Sequence, residues 1–261
     1  METALITGAS SGIGAAFAQE LASRQTNLVL VARSENQLLQ LAQRLQNQFS
    51  IQTEVIFQDL TLPGAAQSVF EKVCQKGLTI DFLINNAGFG DYGAFSERQL
   101  SKQINMIQLN IAALVELTYL FLPGMQQRGL GKIINVSSIA AFQPLPYMSV
   151  YGATKAFVLS FSEALWAENK NMGVKILALC PGATESNFFD VAEFPESFAS
   201  KNGNGYTLAE EVVQDALKAL AKDRSTLVTG GLSNQIIVNV PRFLPRDMLV
   251  SAVEKQFRAG D

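Results

Sequence analysis

The chain opens on T-A-L-I-T-G-A-S-S-G-I-G, residues 3–14, and this stretch decides the fold. Its first five residues are an apolar run that predicts a buried strand, and a helical pattern follows over about 13–23. Glycines at positions 8, 12 and 14 allow a tight turn between the two and a close approach of a pyrophosphate to the helix N-terminus. The stretch therefore predicts a nucleotide site, although its spacing departs from the general G-x-G-x-x-G pattern.

Predicted strands and helices alternate along the rest of the chain. Further strands are predicted at 27–31, 51–57, 81–84, 133–136, 174–179 and 226–228, with helices at about 34–45, 63–76, 96–125, 149–169 and 207–221. Three of these helices begin with a capping-box pattern: Ser34 with Gln37, Ser96 with Gln99, and Thr207 with Glu210. The alternation predicts a single α/β domain over 1–261, a Rossmann-like doubly wound parallel sheet of about seven strands with helices on both faces.

Composition narrows the class of protein. Of the 261 residues, 48% are hydrophobic and 16% are charged, which favours a large buried core. The formal net charge of −3 argues against nucleic acid as a partner. Two distant cysteines, Cys74 and Cys180, with no histidine predict neither a metal site nor a disulfide framework, so a cytoplasmic location is expected. No signal peptide or apolar run of membrane-spanning length is expected.

The end of the second strand predicts the cofactor. Ala32 stands where an NAD-preferring fold places an acidic residue for the ribose hydroxyls, and Arg33 offers a planar cation suited to a 2′-phosphate. NADP(H) is therefore the expected cofactor. If Arg33 merely ends a strand, an NAD(H)-preferring dehydrogenase remains the alternative. Asp59, after the third strand, either accepts a hydrogen bond from an adenine amino group or caps the next turn.

A candidate catalytic set follows the strand at 133–136. Tyr151 and Lys155 are four residues apart and share one face of the predicted helix, while Ser138 lies past the strand's C-terminal end. A neighbouring ammonium is expected to lower the pKa of the phenol, and a serine hydroxyl can orient a carbonyl oxygen. The trio suits proton transfer in a chain without histidine, although a Tyr-x-x-x-Lys pair is often only a solvated pair.

Three features leave alternatives open. Asn110 interrupts an apolar segment and is either a structural anchor or part of a polar relay. Residues 183–206 carry several phenylalanines and the flexible K-N-G-N-G, and form either a lid over an apolar pocket or a surface excursion packed on the core. The tail, about 232–261, is apolar and interrupted by two prolines; it could cover the pocket, contact a subunit or lie on a membrane surface.

With these residues in view, the chain resembles the short-chain dehydrogenase/reductase family over essentially its whole length. The resemblance rests on T-G-A-S-S-G-I-G at 7–14, N-N-A-G at 85–88, Ser138, Y-G-A-T-K at 151–155 and P-G at 181–182. It implies that Tyr151 is the acid–base residue, that Ser138 orients the carbonyl, and that Lys155 also binds the nicotinamide ribose. Asn110 is then implied in a proton relay through water to Lys155.

The resemblance also implies a set of cofactor-binding residues and an assembly. The set is Gly8, Ser10, Ser11, Gly12, Ile13, Gly14, Arg33, Asp59, Leu60, Asn86, Ala87, Gly88, Tyr151, Lys155, Pro181, Gly182, Thr184 and Ser186. Family members pair through the helices that correspond to 110–125 and 151–169. A homodimer or homotetramer is therefore implied.

The expected reaction is hydride transfer between nicotinamide C4 and a carbonyl carbon, with Tyr151 giving or taking the proton. Segments 89–95, 142–148 and 188–194 follow C-terminal strand ends, are rich in aromatic residues and contain no lysine or arginine. The expected substrate is thus an uncharged, largely apolar ketone, aldehyde or secondary alcohol. The alternatives are a non-catalytic dinucleotide-binding regulatory protein and an isomerase on the same fold.

Overall fold

A computed structural model describes residues 1–195 and 206–258, and one parallel sheet organises them. Its seven strands have the order β3-β2-β1-β4-β5-β6-β7. They are β1 (Thr3–Thr7), β2 (Asn27–Ala32), β3 (Thr53–Phe57), β4 (Phe82–Asn85), β5 (Gly131–Val136), β6 (Val174–Cys180) and β7 (Thr226–Val228). The strand order reverses between β1 and β4, and the loops that leave these two strands diverge to create a crevice at the carboxyl edge.

Helices cover both faces of this sheet, as the alternating pattern predicts. They are α1 (Gly12–Ser23), α2 (Glu35–Phe49), α3 (Ala65–Gln75), α4 (Leu100–Ile107), α5 (Leu114–Arg128), α6 (Ser149–Asn169), α7 (Phe188–Val191), α8 (Ala209–Ala221), α9 (Gly231–Asn239) and α10 (Arg246–Phe257). One apolar cluster joins α1, α2 and α8 to the first face, and a second joins α3, α5 and part of α6 to the other. The fold is therefore a doubly wound, Rossmann-like sheet.

The predicted interruption near Asn110 is a π-helical turn, Gln108–Ala113, that joins α4 to α5 without ending the helix. The resulting helix, Leu100–Arg128, is long and apolar enough to cross a membrane by length and composition. The expectation that no run of this length and composition occurs is therefore not confirmed. Leu117, Phe121 and Met125 of this helix are nonetheless buried against the sheet, as in a core helix.

The strands lie within two residues of their predicted bounds, but the three predicted capping boxes do not form. Ser34 is the N-cap of α2, but its side chain makes no hydrogen bond to the helix, and Ser34 lines a cavity instead. Ser96 lies in a 3₁₀ turn that ends before α4 begins. Thr207 pairs with Thr184 in a β-bridge, so α8 starts after Leu208. Tertiary contacts thus override these local patterns.

The tail folds back over the carboxyl edge of the sheet. Its described part comprises α9, a 3₁₀ turn (Val240–Arg242) and α10. Leu249 and Val253 of α10 pack in one buried cluster with Tyr92, Met148 and Tyr151. Of the three alternatives for the tail, covering the pocket is therefore the one that the fold supports directly. Within the predicted lid, residues 196–205, which include K-N-G-N-G, lie outside the described residues.

Candidate active site

A cavity of about 880 Å³ opens at the carboxyl edge between β1 and β4. Its wall contains the glycine-rich turn, the residues that follow β2 to β6, α7 and parts of the tail. Every site residue predicted from the sequence lines it except Gly14 and Asn110. The fold thus brings residues from almost the whole length of the chain into one cleft.

The glycine-rich turn is packed so closely against the turn after β4 that side chains are excluded. Gly8 has a φ of +63°, and a Cβ there would lie 2.9 Å from the Cα of Ala87. A Cβ at Gly14 would lie 2.2 Å from the carbonyl oxygen of Gly8. Nδ2 of Asn86 donates to the carbonyl oxygens of Thr7 and Gly8, at 2.9 and 3.2 Å. Gly14 therefore serves the packing of α1 on the turn, from behind the cavity wall.

This turn and the start of α1 have the chemistry that a pyrophosphate requires. Ser11 is the N-cap of α1 and makes no side-chain bond to the helix, and the first turn holds no acidic residue. A helix N-terminus of this kind attracts anions through its backbone N–H groups and its dipole. Gly8, Ser11 and Gly12 line the cavity in front of it. The residues present therefore fit a dinucleotide.

Arg33 and Asp59 lie together on the cavity wall at the ends of β2 and β3. Burial favours the protonated form of Asp59, but hydrogen bonds from Thr61 and the charge of Arg33 outweigh it and lower the pKa of Asp59. Its Oδ1 accepts from the N–H and the hydroxyl of Thr61, at 2.9 and 2.8 Å. Asp59 thus caps the local turn, as one alternative predicted, and still borders the cavity.

Ser138, Tyr151 and Lys155 meet on the cavity wall where β5 ends against α6. Oγ of Ser138 accepts from the N–H of Ala140 at 3.1 Å, which fixes the hydroxyl at the start of a 3₁₀ turn. Nζ of Lys155 donates to the carbonyl oxygen of Val136 at 2.8 Å and lies 5.8 Å from the ring centre of Tyr151. Tyr151 and Lys155 are both buried, so they are not a solvated surface pair.

Burial dominates the electrostatics of this pair. It raises the pKa of Tyr151 to about 12, against the opposing effect of the Ser138 hydroxyl. It also lowers the pKa of Lys155 to about 8. Loss of hydration is the largest cause and only the Ser138 hydroxyl opposes it, so the expected lowering of the pKa of Tyr151 by Lys155 is not seen in this structure. Tyr151 is a neutral phenol at pH 7, the form that can donate a proton.

Asn110 is buried behind the catalytic residues and fully hydrogen-bonded. Its amide donates to the carbonyl oxygen of Phe89 at 3.0 Å and to Oγ1 of Thr154 at 3.1 Å. Its Oδ1 accepts from the N–H of Phe89 at 3.2 Å. The side chain therefore anchors the loop after β4 to α6. A part for Asn110 in a proton relay stays a prediction.

The cavity wall carries apolar side chains at both predicted and unpredicted positions. The predicted ones are Phe89, Leu145, Met148, Phe188, Phe189 and Phe194, and the tail adds Ile236, Ile237, Val240, Ala252, Val253 and Phe257. The apolar composition of the tail suggested a cover, but not which side chains face inward. Five residues expected in the pocket do not line the cavity: Tyr92, Phe95 (which is 60% exposed), Phe142, Pro144 and Tyr147. Among the described residues of the wall, the charged ones are Arg33, Asp59 and Lys155.

A cluster of ion pairs joins the loop after β4 to the segment after β6. The buried carboxylate of Asp91 pairs with Arg98 at 2.5 Å and with Lys102 at 2.7 Å. Glu193 pairs with the same two cations, at 2.6 and 2.5 Å. The N–H of Tyr92 donates to the carbonyl oxygen of Ala192 at 2.8 Å. The two segments form one structural unit, and both of its cations are engaged by carboxylates outside the cavity wall.

Comparison with known proteins identifies the family. A family model described as short chain dehydrogenase matches residues 2–194. The chain belongs to this family. The very-long-chain 3-oxoacyl-CoA reductase of Mus musculus is 31% identical over 254 residues, which cover 95% of this chain and 77% of that protein.

Two similar solved structures extend the comparison. A short-chain dehydrogenase from Sphingobium yanoikuyae in complex with NADPH has a TM-score of 0.81 and 32% identity, over 100% of this chain and 99% of that one. The bulky-bulky ketone specific alcohol dehydrogenase from Comamonas testosteroni has a TM-score of 0.77 and 32% identity, over 100% of this chain and 96% of that one. The protein is thus an oxidoreductase of this family that uses a nicotinamide dinucleotide and a small-molecule substrate.

Proposed function

We propose that the protein uses NADPH to reduce a ketone on a large, uncharged and largely apolar substrate. The composition of the cavity around Tyr151 carries this proposal. Aromatic and aliphatic side chains from the loops after β4, β5 and β6 and from the tail surround the phenol. A carboxylate or phosphate bound there would lose hydration and meet no cation except Lys155, which donates to the carbonyl oxygen of Val136, since Arg98 and Lys102 are paired elsewhere.

Arg33 supports NADP(H) as the cofactor. Its guanidinium borders the cavity after β2, and Ala32 beside it offers no carboxylate to the ribose hydroxyls. Arg33 lies near enough to Asp59 for its charge to help lower the pKa of that carboxyl. The similar Sphingobium yanoikuyae enzyme was solved with NADPH. When bound, the cofactor supplies the hydride.

The protein's own residues supply the proton, the orientation and a dry site. Tyr151, protonated at neutral pH, gives its phenolic proton to the carbonyl oxygen as that oxygen becomes negative. Ser138 donates a hydrogen bond to the same oxygen and orients the carbonyl. Lys155 would hold the cofactor ribose with its ammonium group, and its charge would favour the phenolate that remains on Tyr151. Val253 and Phe257 of the tail keep water away from Tyr151.

Two relatives are consistent with this substrate class. One reduces very-long-chain 3-oxoacyl-CoA and another is specific for bulky-bulky ketones, as their names state. Both act on a ketone, one within a very-long-chain acyl group and the other flanked by bulky groups. The thioester of an acyl-CoA brings phosphates that the described cavity wall does not match beyond Arg33, so a neutral ketone is the better candidate here.

A panel of ketones of increasing apolar size, each assayed with NADPH and with NADH, tests the proposal. We expect kcat/KM to rise with size, by up to ~0.8 kcal/mol, or about fourfold, for each buried methylene. A keto acid of matched size serves as the charged control and should react more slowly. A small charged keto acid as the best substrate would contradict the proposal. No NADPH oxidation with any ketone would favour the regulatory protein or the isomerase.

The outer face of α6 supports the predicted homodimer or homotetramer. Phe157 is 42% exposed, and its ring stacks on that of Phe161 at 5.8 Å. Leu114, Leu117 and Phe121 of α5, also expected at a subunit contact, are instead buried within this chain. Light scattering at micromolar concentration tests assembly, and a monomer would reject it. The cytoplasmic location stays a prediction.

A further inference from the structure

The tail carries an exposed apolar face on its outer side. Leu232, Ile236, Val240 and Phe243 are 83%, 62%, 40% and 84% exposed. Their spacing of four, four and three residues places them on one side of α9 and of the 3₁₀ turn that continues it. Together with Gln235 and Asn239 they line a shallow groove of about 430 Å³. We call these four residues the tail face.

The tail face is the outer side of the substrate cavity's own wall. Ile236 and Val240 line the outer groove and also line the cavity that contains Tyr151. An apolar molecule held at the tail face therefore contacts two residues that also line the cavity. The tail face therefore adjoins the substrate cavity as well as the outer surface of the protein.

Positive charge accompanies the apolar side chains. Arg242 and Arg246 lie on either side of Phe243 in sequence, and both are exposed. Within the described chain, neither takes part in a salt bridge with a carboxylate. Residues 231–258 contain four cations and two anions, a net charge of +2, whereas the whole chain has −3. Exposed apolar residues with arginines at their margin are typical of segments that lie on an anionic bilayer.

We propose that the tail face docks on an anionic lipid bilayer and that the apolar substrate enters the cavity from the bilayer, past Ile236 and Val240. This inference rests on the proposed function, because only an apolar substrate partitions into lipid. A second copy of the chain fits the face less well. A two-fold contact centred there would bring Arg242 and Arg246 toward the same residues of the other copy, with like charges opposed.

Co-sedimentation of the full chain with vesicles tests the docking. We expect binding to phosphatidylcholine vesicles that contain phosphatidylglycerol, weaker binding to phosphatidylcholine alone, and a decrease with added salt. The double variant Leu232→Ser/Phe243→Ser should lose at least tenfold in binding, and Arg242→Gln/Arg246→Gln should lose the preference for the anionic lipid. The matched control is Leu39→Ser/Leu62→Ser, at positions 46% and 54% exposed elsewhere, which should bind like the unmodified protein.

Activity separates this inference from the proposed function. With a short water-soluble ketone, the serine double variant should keep the rate of the unmodified protein, because neither residue lines the cavity. With an apolar ketone dissolved in anionic vesicles, its rate should fall severalfold. Vesicle binding without turnover of any ketone would reject the proposed function and leave the docking intact.

Three results would overturn the docking proposal. The first is no binding of the unmodified protein to anionic vesicles. The second is equal binding by the serine double variant. The third is light scattering in which that variant converts a dimer to a monomer, which would assign the tail face to a second copy of the chain.

Discussion

The cofactor side and the substrate side of the cavity differ in the atoms that surround their glycines, which are main-chain atoms on the first side and side-chain ends on the second. At Gly14, on the cofactor side, an added Cβ would meet the backbone oxygen of Gly8 at 2.2 Å. At Gly90, on the substrate side, it would meet Cζ of Phe188 at 2.7 Å and Cε of Met148 at 3.0 Å, the free ends of side chains. Main chain cannot move aside locally, whereas side-chain ends can. The cofactor side is therefore rigid and suits a single cofactor, whereas the substrate side can accommodate substrates of different shape.

Replacement of Tyr151 by phenylalanine, at the junction of the two sides, should have the largest effect. The ring and its contact with Phe188, at 5.2 Å between centroids, remain, but the proton donor is lost. We expect kcat/KM for ketone reduction to fall by about 10²–10⁴, with NADPH affinity changed little. Steady-state kinetics and a fluorescence titration with NADPH measure the two quantities. A variant that retains a tenth of the activity would exclude Tyr151 as the acid.

Replacement of Gly14 by alanine should disrupt the rigid side. Because the added Cβ would collide with a carbonyl oxygen, α1 must shift away from the turn, and we expect a loss of about 3 kcal/mol in the free energy of unfolding. NADPH affinity should fall with it. Gly124→Ala is the control: its Cβ would approach only the tip of Arg128, at 3.3 Å, and helix propensity should offset that contact. Urea unfolding of both variants compares them.

Replacement of Arg33 by alanine should change cofactor preference and leave the substrate side intact. A charge-assisted pair with a 2′-phosphate is worth roughly 1.5–3 kcal/mol, so NADPH affinity should fall by about tenfold to a hundredfold. NADH affinity should stay the same, since NADH has no 2′-phosphate. Calorimetric titration with both cofactors measures this. An equal loss for the two would indicate that Arg33 serves the structure of the turn and not the phosphate.

The same contrast explains what the sequence could predict. The cofactor side depends on contacts within short stretches, such as the glycine turn and N-N-A-G, whose spacing is visible directly. The parallel sheet follows from alternating periodicity and from short loops. Every predicted cofactor residue except Gly14 accordingly lines the cavity. Gly14 differs because a glycine that is needed for packing and one that is needed for a ligand look the same in sequence.

The substrate side depends on which faces of distant segments turn inward. Leu249 and Val253 belong to an apolar tail, and the packing of that tail on Tyr92 and Met148 places them in one cluster with Tyr151. The pKa of Tyr151 was also beyond local reasoning. The spacing to Lys155 was visible, but the depth of burial that raises the pKa of Tyr151 is a property of the whole fold.

The pH dependence of kcat/KM should follow the loss of the proton from Lys155. Its pKa of about 8 means that the ammonium group is lost above pH 8, while Tyr151 keeps its proton up to a pKa of about 12. We expect kcat/KM for NADPH in ketone reduction to be level below about pH 8 and then to fall, approaching tenfold per pH unit. A level profile up to pH 10 would contradict this assignment.

Deprotonation of Lys155 does not destabilise the fold in the pH range where kcat/KM is expected to fall. Its pKa in the folded protein lies below the unfolded value of 10.5, so between pH 8 and 10.5 the unfolded chain binds more protons at this residue. The contribution of Lys155 to stability therefore rises with pH in the window where activity falls. Thermal unfolding measured across the same pH range separates the two effects.

Replacement of Gly90 by alanine should have the smallest effect and is the sharpest test of the contrast. The added methyl meets only the tips of Phe188 and Met148, and both residues line the cavity. These side chains can rotate toward the cavity, so we expect a loss of stability below about 1 kcal/mol, far less than for Gly14→Ala. The displaced phenyl ring should then occupy substrate space. KM for the bulkiest ketone should rise severalfold, while that for the smallest should not change. If Gly90→Ala destabilises the protein as much as Gly14→Ala, the substrate wall is as rigid as the cofactor wall, and its tolerance for varied substrates would need another origin.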